Sequence, residues 1–316
     1  MDLHTPHGIS RYEFQSMGTT VRVLAPEEIG EQAFHEVSQL FSRWHQALTR
    51  FDPRSELSRL NSSAGLTVLV SPLLFEVLAR ALAAARATEG VFDPCLLPQL
   101  LAAGYDRTFT ELDPLSPSPP PPGPGGRWRQ VRLDEPSRTV QMPPGTAFDL
   151  GGIAKGMAVD AALKRLGEIG GRFGAVEAGG DLAVLGTIPG GGGWTVALED
   201  AGDFGASVVE LHSGALATST VLRRRWFKSG QIRHHLIDPR TGLPSQSEVV
   251  TASVAAPSCA EAEVAAKLAL ILGPERGLTE LTRLGLEGRL VLSAGTQVQT
   301  PLWPRSEPAQ GQTQAT

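Results

Sequence analysis

The sequence predicts a globular fold that mixes helices and strands on three observations. Several stretches repeat apolar residues at helical spacing, others alternate or form strand, turn and strand, and 316 residues with 41% hydrophobic content can bury a full core. Taken in order, Arg11 to Leu24 alternate loosely around Met17-Gly18-Thr19 and are expected to form a first strand, in which Gly18 allows close approach of a backbone or a flat ligand. From Gln32 to Leu48, Phe34, Val37, Phe41, Trp44 and Leu48 recur at helical spacing, which predicts an amphipathic core helix. A second helix is bounded by Ser71 as N-cap, Pro72 at its first position and Gly90 just past its end. Residues Ser116 to Gly126 are rich in proline and glycine and are expected to form a solvated, partly extended loop. Trp128 to Met142 alternate on both sides of Asp134-Glu135-Pro136-Ser137 and read as a hairpin.

The second half continues the mixture. Ala175 to Gly186 reads as strand, glycine turn and strand, and Trp194 to Leu198 as a further strand. Arg223-Arg224-Arg225-Trp226 reads as an exposed basic patch, and Asp238-Pro239 with Thr241-Gly242 as turn chemistry. Val249 to Ala255 is a strand, Ala260 to Leu272 a helix stopped by Gly273, and a weaker helix and the strand Leu290 to Leu292 follow. One domain over residues 1–305 is expected, with a polar, glutamine-rich tail over 306–316 that is disordered.

Composition narrows the partners. A net charge of −5 supplies no field to hold a polyanion, so nucleic acid is not expected. Cys95 and Cys259 lack the spacing of a metal pair and read as buried thiols. No apolar run reaches the length of a membrane span, and Met1 to Ser16 lack the apolar core of a signal peptide, so a cytoplasmic site is expected.

The chemistry centres on Asp149-Leu150-Gly151-Gly152-Ile153-Ala154-Lys155-Gly156-Met157-Ala158-Val159-Asp160, where an extended run meets two glycines and then a helical pattern. Such a layout suits a phosphate: glycines let the backbone approach, the free N–H groups opening a helix favour an anion, and Lys155 adds a positive charge. A strand-to-helix corner with a surface lysine has the same local pattern. The segment resembles the DLGGIAKGYAVD signature of the ApbE family, the FAD:protein FMN transferases. Further blocks are similar to that family in the same order: Met17-Gly18-Thr19, the segment Thr49 to Asn61, Val91-Phe92-Asp93, Ala178-Gly179-Gly180-Asp181, Ala217-Thr218-Ser219 and His235-Leu236-Ile237-Asp238-Pro239-Arg240-Thr241-Gly242.

The resemblance implies an ApbE-like α+β fold, related to the T-fold, with mixed sheets and packed helices. It implies that FMN is moved from FAD to a threonine or serine hydroxyl of an acceptor flavoprotein, releasing AMP. By the same resemblance Met17, Phe51, Val91, Phe92, Asp93, Asp149, Lys155 and Leu236 hold the nucleotide, and His235 transfers or orients a proton. Gly152 would contribute a carbonyl to a magnesium ion whose side-chain ligands fall at Glu263 and Lys267, Glu263 also acting in catalysis. Two departures stand out. Thr220 replaces a glycine, which would matter if φ must be positive there. Lys267 replaces a threonine, and a charged lysine has no lone pair for a metal. Glu263 and Lys267 therefore read either as a helical ion pair or as a built-in cation site. The alternative function is an FAD-binding protein without transfer activity, or an FAD pyrophosphatase.

Overall fold

The computed structural model describes residues 1–113, 115, 117–198, 207–228 and 230–304. The expected tail over 306–316 lies outside these residues. The frame is one eight-stranded sheet formed by β1 (Ile9–Ser16), β2 (Thr19–Pro26), β3 (Gly174–Ala178), β4 (Asp181–Leu185), β5 (Gly214–Thr220), β6 (Val249–Ala256), β7 (Glu287–Leu292) and β8 (Gln297–Gln299). Their order across the sheet is their order along the chain, and every neighbouring pair is antiparallel. Other elements are inserted between consecutive strands. Between β2 and β3 come α1 (Gly30–Leu48), α2 (Glu56–Ser62), α3 (Pro72–Ala87), α4 (Leu97–Ala102) and α5 (Ala154–Glu168), and between β6 and β7 come α6 (Cys259–Leu272) and α7 (Pro274–Arg283).

The pleat sends alternate side chains to opposite faces. Val21, Val23, Val176 and Ala183 face α1, α3 and α5 in the main core, whereas Leu24, Ala175, Leu182 and Leu216 face a small sheet of Asp2–Leu3, Trp194–Leu198 and Ser207–Leu211. The first helix is fastened to the first hairpin by aromatic contacts: Tyr12 stacks on Phe34 at 5.2 Å and Phe14 meets Phe41 edge-on at 5.8 Å. Among the described residues no helix is long and apolar enough to cross a membrane. Both cysteines are buried and free, as expected.

Several expectations need correction. Residues 11–24 are two strands rather than one, because Met17 and Gly18, at φ of 50° and 71°, make the two-residue turn that joins β1 to β2. Gly18 therefore serves the turn, and a side chain there would meet nothing within 4 Å. Ser116 lies outside the described residues; from there on the proline-rich loop is exposed over 117–122, and its end is tied down: Gly125 donates to the Pro239 carbonyl at 2.7 Å, Gly126 donates to Asp93 at 2.6 Å, and Gln99 donates to the Gly123 carbonyl at 3.1 Å. The basic patch is only partly one, since Trp226 is buried with its indole N–H donating to the Ala103 carbonyl at 2.9 Å. Thr220 causes no strain: it ends β5 with ordinary backbone, and its hydroxyl donates to the Val250 carbonyl at 3.0 Å.

Candidate active site

A cavity of about 610 Å³ opens where the inserted helices meet the ends of the sheet insertions, a volume suited to a small-molecule or cofactor site. Its wall combines residues from widely separated stretches: Met17, Phe51, Val91, Phe92, Asp93, Asp149, Gly152, Lys155, His235, Leu236 and Lys267. Of the residues singled out in the sequence, only Glu263 lies off this wall, completely buried behind the two lysines.

Local chemistry explains how each part is placed. Asp149 shapes the glycine turn, one carboxylate oxygen accepting from the Gly151 N–H at 2.9 Å and the other pairing with Arg50 Nε at 2.6 Å. The turn delivers α5, and α5 positions α6 in two ways. Asp160, at the end of the motif, accepts from the N–H groups of Cys259 and Ala260 at 2.7 and 3.0 Å, satisfying two of the donors that a helix start leaves unpaired. Gly156 allows the two helices to touch, since a Cβ there would lie 2.7 Å from the Cys259 carbonyl oxygen. Asp93 is structural as well as cavity-lining, because it accepts from the N–H groups of Cys95 and Gly126.

Beneath the cavity floor lies a cluster of four charges. Lys155 Nζ is 2.5 Å from Asp181 Oδ2 and 2.5 Å from Glu263 Oε1. Glu263 Oε2 accepts from the Gly156 N–H at 2.9 Å, and Lys267 Nζ stands 3.2 Å from Oε1. Burial works to raise the Glu263 carboxyl, but Lys155 and Lys267 overcome it and hold the group below the usual carboxylate range. Burial and the neighbouring Glu263 push the Asp181 carboxyl up, outweighing the opposing pull of Lys155 and Lys267. Lys155 would be lowered by burial alone, and its two carboxylate partners raise it instead. Lys155 is thus a clamped cation linking α5, α6 and β4 rather than a freely swinging one.

His235 is half-buried on the cavity wall, and its Nδ1 is buried without a hydrogen-bond partner. Burial, with Arg224 and Lys267 nearby, holds its imidazole well below the usual histidine range, so the ring is neutral at physiological pH.

The sequence reading missed four contributors. Arg50 is almost fully enclosed, its guanidinium 4.2 Å from the Phe51 ring centre and 4.6 Å from that of Tyr105, with Nη2 buried and unpartnered. Tyr105 packs in turn on Trp226 at 5.3 Å. Arg224 reaches the cavity and donates to the Gly18 carbonyl at 3.4 Å. Asp181 is the second partner of Lys155. For Arg50 a signal existed, an arginine beside an aromatic inside a recognised segment; for Asp181 the pairing joins residues 26 apart and has no local signature.

The model of the ApbE family matches residues 17–290. The chain belongs to the ApbE family. It is 30% identical over 248 residues to the FAD:protein FMN transferase of Chlamydia trachomatis, covering 77% of this chain and 76% of the relative. Against the FAD:protein FMN transferase of Treponema pallidum it is 30% identical over 278 residues, covering 81% and 76%. The fold superposes on the ApbE protein of Thermotoga maritima with a TM-score of 0.84 at 24% identity, over 94% of this chain and 100% of that one. The flavin transferase ApbE of Vibrio cholerae gives 0.78 at 22% identity, over 94% and 98%. The α+β class expected from the sequence therefore stands, with antiparallel pairing throughout the described sheets.

The magnesium site implied by the ApbE resemblance does not fit the residues present. Both oxygens of Glu263 are already engaged by Lys155, Lys267 and the Gly156 N–H, and the remaining ligand position carries an ammonium, which has only donors. Among the described residues no group of three or more His, Cys, Asp and Glu side chains is gathered that could hold a metal ion.

Proposed function

We propose that this ApbE-family chain is an FAD:protein FMN transferase, moving the FMN moiety of FAD onto a threonine or serine hydroxyl of an acceptor flavoprotein and releasing AMP. The observation that supports this best is the cavity itself, whose wall draws on five of the seven sequence blocks resembling the family, with Asp181 of a sixth held against Lys155 behind it. In this reading Met17, Phe51, Val91, Phe92 and Leu236 supply apolar surface to the flavin nucleotide, and the glycine turn from Asp149 to Gly152 lets its phosphates approach the backbone.

The reaction breaks the diphosphate linkage while a hydroxyl attacks the phosphorus bearing the FMN part, and AMP leaves with the other phosphate. It needs cationic charge at the diphosphate, in-line placement of the hydroxyl, and an acceptor for its proton. Lys155 and Lys267 are the cations at the floor. Glu263 and Asp181 act by holding Lys155, so Glu263 is a positioning residue. A neutral His235 ring takes or orients the hydroxyl proton.

Incubation with FAD and a peptide carrying a flavinylation motif tests the proposal, with the products resolved by mass spectrometry. Covalent FMN on the peptide with stoichiometric AMP is expected. Free FMN and AMP without labelled peptide would make the protein a pyrophosphatase, and FAD retained unchanged would make it a binding protein; the engagement of both Glu263 oxygens by Lys155, Lys267 and the Gly156 N–H is the observation favouring those readings.

A further inference from the structure

The charge cluster assigns a role to Lys267 that deepens the reading above and rests on it. Lys155 and Lys267 face Asp181 and Glu263, so two cations and two anions balance in a nearly dry volume. Lys155 spends its charge on two contacts of 2.5 Å and is clamped. Lys267 is held more loosely. Its ammonium makes contacts of 3.2 Å to Glu263 Oε1 and 3.4 Å to the Glu263 carbonyl, both on its own helix, and an ammonium has three donors to place. Its side chain lies along the cavity wall against Gly152, with Cε 3.3 Å from where a Cβ on that residue would sit. A larger residue at position 152 would therefore push on Phe92 and on the lysine stem together. The open pole of the cluster is therefore a positive charge, anchored from behind by a carboxylate and presented at the glycine turn. A divalent cation entering at the same place would meet a like charge a few ångströms away and a carboxylate whose two oxygens are both already engaged by donors, and such repulsion is strong at reduced dielectric.

We infer that Lys267 is the built-in cation of this site, that it binds the diphosphate of the dinucleotide directly, and that FAD binding here needs no divalent metal. Flexible lysine suits this as a compact point charge with three rotatable donors.

The test is a flavin fluorescence titration of the whole protein with FAD, and separately with riboflavin, which has no phosphate. Each is run after treatment with EDTA and again with magnesium chloride, on the unmodified protein, Lys267→Met and Lys267→Arg. The expected result is an FAD dissociation constant that changes by less than about twofold between the two buffers. Lys267→Met should weaken FAD by about ten- to a hundredfold, the range of a hydrogen bond to a charged group, while riboflavin is unaffected and Lys267→Arg retains most of the affinity. Tightening of FAD on the unmodified protein by about tenfold or more with magnesium would overturn the inference, even where Lys267→Met fails to fold. Equal FAD affinity of Lys267→Met and the unmodified protein would overturn it too. If the unmodified protein binds FAD no better than riboflavin in either buffer, the FAD reading falls together with it, a result distinct from tight but magnesium-dependent binding.

Discussion

Replacing Glu263 by glutamine keeps its shape and removes its charge, leaving Lys155 and Lys267 opposed by Asp181 alone. Removing one partner of a buried ion pair costs roughly 3–5 kcal/mol. The low end applies here, about 3 kcal/mol, because Lys155 keeps Asp181 at 2.5 Å and Lys267 opens onto the cavity. Lys267→Met in the same chain restores equal numbers of cations and anions. The double variant should then be more stable than Glu263→Gln alone by about 1 kcal/mol, within the coupling range of contacting residues. Urea unfolding followed by tryptophan fluorescence, on the unmodified protein, both single variants and the double variant, yields the coupling from the cycle. A coupling within about 0.5 kcal/mol of zero would show that the four groups do not act as one balanced cluster.

Three other outcomes are expected. Met17→Asn places the preferred residue at a left-handed turn position, and should stabilise the protein by about 1 kcal/mol in urea unfolding while weakening FAD, because the thioether side chain leaves the cavity wall. Asp160→Ala removes the acceptor for two N–H groups opening α6 and should cost about 2 kcal/mol in the same assay, with loss of FAD affinity as α6 loosens. His235 is held below its ordinary pKa when folded, so the unfolded chain takes up its proton first as pH falls and stability declines from about pH 6.5 towards the folded value. His235→Gln should flatten the pH dependence of stability in that window by up to about 1.4 kcal/mol per pH unit, read from urea unfolding at a series of pH values, while His234, also held low by burial, leaves a residual slope.

Where local chemistry marked an element, the sequence sufficed. Ser71 with Pro72 announced α3, whose N-cap hydroxyl does accept from the Leu74 N–H, and Gly273 announced the end of α6. The first hairpin was read as a single strand because methionine is a poor marker for a left-handed turn, and only the partner strand, Phe14 opposite Val21, reveals the reversal. Arg224 and Trp226 looked solvated because a run of arginines hides which of them has a buried neighbour. Arg50 was overlooked for a similar reason: its charge argues for water, and although Phe51 stands beside it in the sequence, Tyr105 and Asp149, which complete the offset for lost solvent, come from distant stretches. The clamp on Lys155 was invisible in principle, since Asp181 and Glu263 meet it only after β4 and α6 are docked.

The order of strands in the large sheet has a consequence for how the chain is made. Strands β1 and β2 leave the ribosome early, and α1 follows at once to cover their apolar face through Phe34 and Phe41. The free edge of β2 has no such early cover. Its partner β3 is synthesised only after residues 27–173 have emerged, so during that interval Val21 to Leu24 offer unpaired backbone groups to any passing strand. The nascent chain is therefore most prone to wrong pairing while residues 27–173 are being made, and chains released before residue 174 should be held by chaperones in preference to longer ones.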